Sequence, residues 1–562
     1  MDQLKPNPAN STPLTPLTLL ERAAIIYNDS PSIVYNGSIH STWSQTHRRC
    51  LRLASSISSL GIRRRHVVSA LAPNIPAMYE LHFAVPFAGA VLSNLNIRLD
   101  PRTVAALLRH SDSRLVFVDQ QHKSLLLDAL SFFPPDLAPP LVVLISDDDD
   151  GIDIVDSSST VFVDTYEGLI RRGDPGFEWV RPESEWDPIV LNYTSGTTSS
   201  PKGVVHSHRG AFVVTLDSLV DWSVPKQPVY LWTLPMFHSN GWSFPWGMAA
   251  VGGINICLSR FDAPTIYRLI ATHGVTHMCA APVVLNMLSN SKSKTEPMRN
   301  PVHLLTGGSP PPAAVLSRAE SLGFLVSHGY GLTEALGVII SCAWKPRWNR
   351  FPATERARLK ARQGVRTLSA TEADVVDLES GRSVRPDGSQ IGEIVLRGAC
   401  VMMGYLKDPG ATSESINPNG WFYTGDLGVM HEDGYIEIKD RRKDVIISGG
   451  ENVSSVEVEA VLYTHEAVNE AAVVARPDEF WGETACAFVS LKKNGAEKKP
   501  TEKEIMEYCR EKMAKFMVPK TVVFREELPK TETGKIVKHL LRKEAQAMGS
   551  LTVTVTVAGS RM

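Results

Sequence analysis

The sequence predicts an α/β protein: a large N-terminal domain of stacked α/β sheets with a small β-rich module, followed by a small, mobile C-terminal α/β domain. Three observations carry this. From about Asp187 to Glu334, apolar strand candidates alternate with Gly or Pro turns and amphipathic helix candidates, the pattern of a mostly parallel sheet with helices on its faces. Between Gly364 and Asp440 the pattern changes to short strands separated by "ESGRSVRPDGS" and "NPNG". Finally, 562 residues are too many for one core, so two or more domains are expected.

In chain order, residues up to about Phe133 carry the alternating signal weakly, and "SDDDDGID" from Ser146 reads as a solvated acidic loop. Four consecutive carboxylates cannot all turn toward one cation. The strong units follow: "VYLWTLP", "VTHMCAAP" leading into "VVLNMLSN", "VHLLTGGSP" into "AAVLSRAESLG", and "FLVSHGYG" into "LTEA". A second domain begins near "KDRRKDVIISGGENVSSVEVEAVLYTH". Val453, Val456, Ala460 and Val461 recur there at helical spacing, with Asn452 as the expected cap. Strands "EAAVVA" and "ACAFVSL" come next. A helix then opens with the capping box Thr501–Glu504 and places Ile505, Tyr508, Cys509, Met513 and Phe516 on one face. The expected boundaries are residues 1–440, residues 441–548 and a tail, 549–562.

Lys plus Arg number 58 against 60 Asp plus Glu, a net charge of -2, so neither nucleic acid nor an anionic membrane is an expected partner. Seven cysteines without a CxxC pair read as buried free thiols. No signal-peptide pattern opens the chain and no long apolar run occurs, so neither secretion nor a membrane span is expected. The terminal Ser560-Arg561-Met562 has the small–basic–apolar order of the peroxisomal Ser-Lys-Leu address, which makes the import receptor of that organelle an expected partner.

"YTSGTTSSPKG", Tyr193 to Gly203, gathers hydroxyls, glycines and a lysine directly after an apolar run, a loop suited to wrap a polyphosphate. It is not a P-loop, since Pro201 stands where the second glycine belongs and Gly203 follows Lys202 instead of a hydroxyl. "GYGLTE" from Gly329 begins like a dinucleotide fingerprint but ends in Glu334. "HSH" at His206 to His208 is expected to serve on the surface or as a cap, because residues two apart on a helix share no face.

These motifs, with "YTGD" at Tyr423, "DRRKDVIISGGENV" from Asp440 and "PKTETGKI" from Pro529, stand in the order found in adenylate-forming enzymes. Over about residues 15–545 the chain resembles that superfamily, which joins a carboxylate to AMP from ATP and passes the acyl group to a thiol. The resemblance implies that Thr194, Ser195, Gly196, Thr197, Thr198 and Lys202 hold the β and γ phosphates. Thr333 would meet the α-phosphate and Glu334 would ligate Mg²⁺; Tyr330 would stack on adenine, with Gly308 and Ser309 lining its slot. Asp426 would bind the ribose hydroxyls with Arg441 beside it, and Lys535 would bridge carboxylate and phosphorus. It also implies a rotating small domain hinged at Lys443, a pantetheine tunnel lined by Ser448, Gly449 and Gly450, and a gate at His238.

No carrier-protein attachment site follows, so coenzyme A is the expected acceptor. Asn240, Trp242, Phe244, Gly307, Gly329 and Gly331 should flank an acyl slot suited to a flat or slender apolar acid. Plant 4-coumarate ligases carry tyrosine where Asn240 falls. The wording of "PLTPLTLLERAA" and "AWKPRWNRFPATERARLKARQGVR" is similar to the plant peroxisomal acyl-activating branch, most of all its cinnamate:CoA ligases. That implies trans-cinnamate as the acid, with benzoate or a medium-chain fatty acid as alternatives and a non-catalytic nucleotide-binding relative as a different class.

Overall fold

A computed structural model describes residues 4–146, 161–194, 201–291, 298, 300–309, 311, 313–449, 451–492, 499–531 and 534–551. The acidic run from residue 147 and the Ser-Arg-Met terminus lie outside the described residues.

Two large sheets build the N-terminal part. A nine-stranded sheet has at its centre the parallel strands Val229–Leu231, Ile254–Cys257, His277–Ala280, Val302–Thr306 and Phe324–Leu332, with Gly337–Ser341 added antiparallel. An eight-stranded sheet runs parallel through Val67–Leu71, Val91–Asn94, Ser113–Asp119 and Pro188–Tyr193, and then turns antiparallel at Gly203–Ser207 and Gly404–Tyr405. The largest apolar cluster draws on both, from Val68, Phe117 and Val190 on one sheet to Tyr230, Cys257 and Cys279 on the other. Every residue of the helix Pro76–Phe87 is buried within that cluster's reach, so the helix has no polar face.

The β-rich stretch is an antiparallel sheet of Ala370–Val376, Gly392–Gly398, Phe422–Met430 and Ile436–Arg441. The C-terminal unit has its own five-stranded sheet and its own apolar core around Val458, Leu462, Val473, Ala487 and Ile505. Among the described residues all seven cysteines are free, Cys342 half-buried and the others buried. No described helix is long and apolar enough to cross a membrane.

Four local expectations give way. Asn452 lies inside the strand Glu451–Val453, because antiparallel pairing with Ile446–Ser448 keeps the backbone extended through Val453. Ser454 caps instead, its hydroxyl accepting from the Glu457 N–H; Val458 and Leu462 are the helix's fully buried core positions, with Val461 packed part-buried against that core and Val456 outside it. The capping box at Thr501 forms, but the helix ends at Lys512. Met513 is therefore extended, and Phe516 is 44% exposed. "LTEA" makes only the 3₁₀ turn Thr333–Ala335, closed by Leu336 at φ 61°.

Gly331 is required by strand pairing. A Cβ there would lie 1.8 Å from the Gly337 carbonyl oxygen of the neighbouring strand. Gly331→Ala should cost roughly 1–3 kcal/mol in denaturant unfolding by forcing this pair apart. An unchanged midpoint would show that the two strands separate freely.

Candidate active site

Polyphosphate chemistry needs cationic and N–H donors on a loop whose base is rigid. Pro188–Tyr193 and Gly203–Ser207 supply the base as an antiparallel pair. The Thr194 N–H donates to the Lys202 carbonyl at 3.0 Å, and the Lys202 N–H reaches Thr194 Oγ1 at 3.4 Å. Ser195, Gly196, Thr197 and Thr198 lie outside the described residues. The Lys202 ammonium stands 4.6 Å from the centre of the Tyr405 ring, and the Tyr405 hydroxyl donates to Glu334 Oε1 at 2.8 Å. Tyr405 was not legible as a site residue. Its "GY" gains meaning only when Gly404–Tyr405 pairs with Val204 and Val205 at the foot of the loop.

His206 and His208 overturn the surface expectation. "HSH" spans a strand end and a helix start, so the two rings point different ways and both are buried. His206 Nε2 lies 2.8 Å from the Thr333 carbonyl and fixes the turn that carries Glu334, while His208 Nδ1 lies 2.9 Å from Thr15 Oγ1. Burial pushes both imidazoles down to about 4, so they stay neutral at physiological pH.

The expected nucleotide side draws on four strands. Gly307 and Gly308 follow the parallel strand Val302–Thr306, Tyr330 lies near the end of Phe324–Leu332, and Asp426 and Arg441 are register partners on the β-rich sheet. The Tyr330 hydroxyl donates to Asp426 Oδ2 at 2.7 Å, and Arg441 Nε lies 3.4 Å from Asp426 Oδ1. Gly308, at φ 85°, has open space where a Cβ would stand, with half-exposed Ser309 beside it. A crevice beyond the carboxyl ends of parallel strands is where such sheets take ligands.

Lys535 arrives from the C-terminal unit on a hairpin tip. Gly534 there has φ 75°, and a Cβ would lie 1.8 Å from Val283 Cγ1 on the helix Pro282–Ser289, so only glycine allows this docking. Burial first, then Arg441, pulls the Lys535 ammonium down to about 8, against the opposing pull of Asp426 and Asp444. Burial and the Lys535 charge in turn push His238 down to about 4. Lys443 is exposed in the turn after Ile436–Arg441. Ser448 is buried, Gly449 at φ 60° lies under the Trp481 ring, and Gly450 lies outside the described residues.

The segment after His238 is strained. Ser239, Asn240, Gly241, Trp242 and Ser243 all have positive φ, one left-handed turn whose non-glycine residues cost about 1–2 kcal/mol each. Asn192 Nδ2 donates to Asn240 Oδ1 at 2.5 Å. His238 Nδ1, Ser239 Oγ, Asn240 Nδ2 and Asn192 Oδ1 are buried without a hydrogen-bond partner among the described residues, the signature of groups awaiting a ligand. A Cβ at Gly307 would lie 3.2 Å from the tip of Trp242. Phe244, expected on the slot wall, lies in the core against Trp222 and Tyr230. A Cβ on Gly329 would collide with Val338 on the paired strand, as one on Gly331 would with Gly337, so close strand approach already accounts for both glycines.

Residues 20–406 match the AMP-binding enzyme family, and residues 457–535 match the AMP-binding enzyme C-terminal domain. The chain belongs to the AMP-binding enzyme family. A 2-methylpropanoate–CoA ligase of Humulus lupulus is 65% identical over 98% of this chain and 99% of its own. The probable acyl-activating enzyme 5, peroxisomal, of Arabidopsis thaliana is 64% identical over the same shares. An anthranilate CoA ligase solved with anthranoyl-AMP shares the fold at TM-score 0.82 and 24% identity, covering 96% of this chain and 98% of that one.

In this AMP-binding enzyme the donor set around Glu334 fits Mg²⁺. Desolvation raises the proton affinity of its carboxylate, and a hard divalent cation would relieve the same cost. The described residues contain no group of three or more His, Cys, Asp or Glu able to hold a metal, so its other ligands would be substrate phosphates and water.

The Lys535 ammonium loses its proton as pH rises through about 8, so kcat/KM for ATP should fall over that range. Arg441 lowers this pKa, and Arg441→Gln should therefore shift the basic limb to higher pH. A pH–rate profile checks both, and an unmoved limb would remove the coupling.

Proposed function

We propose that this AMP-forming acid:CoA ligase joins a small monocarboxylic acid to coenzyme A in two steps. The carboxylate attacks the α-phosphorus of ATP and expels pyrophosphate; the thiol of coenzyme A then displaces AMP from the mixed anhydride. The carrying observation is that Lys535, brought from the C-terminal unit by the turn docked on Val283, feels the charges of Asp426 and Arg441, which face each other beside Tyr330. There its positive charge can meet both the attacking carboxylate and the charge that develops on phosphorus.

In this reading Thr194 and Lys202, with Ser195, Gly196, Thr197 and Thr198, hold the β and γ phosphates. Thr333 meets the α-phosphate, Glu334, which accepts from the Tyr405 hydroxyl, would hold Mg²⁺, and Tyr330, Gly308 and Ser309 form the adenine slot. Mg²⁺ supplies charge neutralisation on the phosphates. The two domains, residues 1–440 and 441–548, turn about Lys443 between the steps. Ser448, Gly449 and Gly450 then come to line the pantetheine path, with neutral His238 at its inner end.

For the acid, the Trp242 tip against Gly307 and the buried Asn192–Asn240 pair favour a short slot. A short branched acid such as 2-methylpropanoate, the acid named for the 65% identical relative, is the leading reading. trans-Cinnamate is the second, carried by the Trp242 ring; the place of Phe244 in the core weakens it. Benzoate and medium-chain fatty acids come after. The Ser-Arg-Met terminus and the peroxisomal relative support a peroxisomal location through the import receptor of that organelle.

Purified protein supplied with ATP, Mg²⁺, coenzyme A and equal 2-methylpropanoate, trans-cinnamate, benzoate, hexanoate or octanoate should release AMP fastest with 2-methylpropanoate. A lead for trans-cinnamate would overturn the short slot. Retained ATP binding without AMP release from any acid would reveal a non-catalytic nucleotide-binding relative. Lys535→Ala should abolish acyl-adenylate formation while leaving ATP binding within about threefold.

A further inference from the structure

The hairpin that carries Lys535 is tied down at both legs by lysine–glutamate pairs. Lys530 bridges to Ile536 through the backbone, and its ammonium lies 2.7 Å from Glu470, whose side chain is only 8% exposed. The other leg ends in Lys538, the first residue of the helix Lys538–Ala547, whose ammonium lies 2.8 Å from Glu459 Oε1 and also donates to Ser455 Oγ. Ser455 continues the chain of contacts, because its backbone N–H donates to Asp440 Oδ2 at 2.7 Å.

Asp440 is the penultimate residue of the strand that ends in Arg441, and it is 3% exposed. Asp440–Ser455–Lys538–Glu459 therefore straddles Lys443, with Asp440 before the hinge and the other three after it. Just beyond the hinge, Asp444 pairs with Arg542 on the same helix as Lys538. Burial works against the Lys538 ammonium, but Glu459, Asp440 and Asp444 outweigh it and its pKa is raised, so the residue stays charged. Only Ile536 and Val537 separate it from Lys535, and that short span is held by the Val537 N–H on the Pro529 carbonyl and the Lys538 N–H on the Ile536 carbonyl. Displacing Lys538 must displace Lys535. The same cluster fixes Asp440, whose neighbour Arg441 faces Asp426, so both sides of the Lys535 site share one anchor.

We propose that Lys538 is a positioning residue for the first half-reaction alone: held by Glu459 on its own domain and tied through Ser455 to Asp440 across the hinge, it sets Lys535 over the site, and the Ser455–Asp440 link parts when the small domain turns for thiol transfer. This rests on the reading of the chain as a two-step acid:CoA ligase. Lys538 touches no reacting atom; its effect passes through Lys535. A buried charged cluster suits a two-position device because its partners are poor substitutes for water once misaligned, so it favours one orientation sharply.

The test separates the half-reactions of the full-length protein. Pyrophosphate release from ATP with 2-methylpropanoate, or with whichever acid leads in the panel, reports the first; thioester formation from the pre-made acyl-adenylate and coenzyme A reports the second. Lys538→Met should slow the first at least about tenfold and the second less than about twofold, with Lys538→Arg restoring most of the loss. Equal losses in both steps, or no loss in the first, would overturn the proposal. Because Lys538→Met leaves Glu459 buried without its partner, Lys538→Met with Glu459→Gln provides a variant with neither charge. It should fold and keep the same split, and a vanished split would overturn the proposal equally. Lys535→Ala run in parallel distinguishes the two levels. If it spares the first step the ligase reading itself falls, whereas a dead Lys535→Ala beside an unaffected Lys538→Met removes only the role of Lys538.

Discussion

The carboxylate of Asp426 is where the parts of this chain meet. It is 8% exposed, accepts the Tyr330 hydroxyl from the parallel sheet, and faces Arg441 across the antiparallel module. Its negative charge also offsets part of the penalty that burial and Arg441 impose on Lys535. A buried carboxylate left unpaired would be costly, so the surrounding cations and hydroxyl are constrained to stay near it. That constraint orients two sheets and the C-terminal domain toward one small volume.

Desolvation acts on the rest of the site in the same direction, toward fewer free charges before substrate arrives. His206 and His238 are held neutral, and Glu334 has its proton affinity raised by burial while Tyr405 supplies a hydrogen bond. A polyphosphate with its cation would bring the compensating charges with it. The left-handed turn from Ser239 to Ser243 adds backbone strain beside buried polar atoms that lack partners. Strain and unsatisfied groups at one place are a cost to folding that binding can return.

Much of the fold was legible because its signals are local. Alternation of apolar strands with capped helices gave the parallel sheets, turn chemistry gave the β-rich module, and Thr501 with Glu504 formed the capping box read from four residues. The local errors also have local causes. Asn452 has the chemistry of a cap, yet pairing of Glu451–Val453 with Ile446–Ser448 keeps it in a strand; His206 and His208 would share no face of one helix, yet a strand ends at Ser207 and a helix begins at His208, so both find buried partners. Phe244 was placed on the slot wall because it is near Trp242 in sequence, yet the left-handed turn between them sends it into the core.

By itself the sequence determined the two-part α/β organisation and which residue types stand near Lys202 and at Glu334, Asp426 and Lys535, because each is a property of a short stretch and its order in the chain. Tertiary structure alone decided that Tyr405 stands between Lys202 and Glu334, that His206 braces Thr333, and that Asp440 and Lys538 share one cluster across the hinge. Those contacts join residues scores of positions apart. Strand register and domain docking create them, and no periodicity or motif along the chain encodes which distant side chains will share a desolvated space.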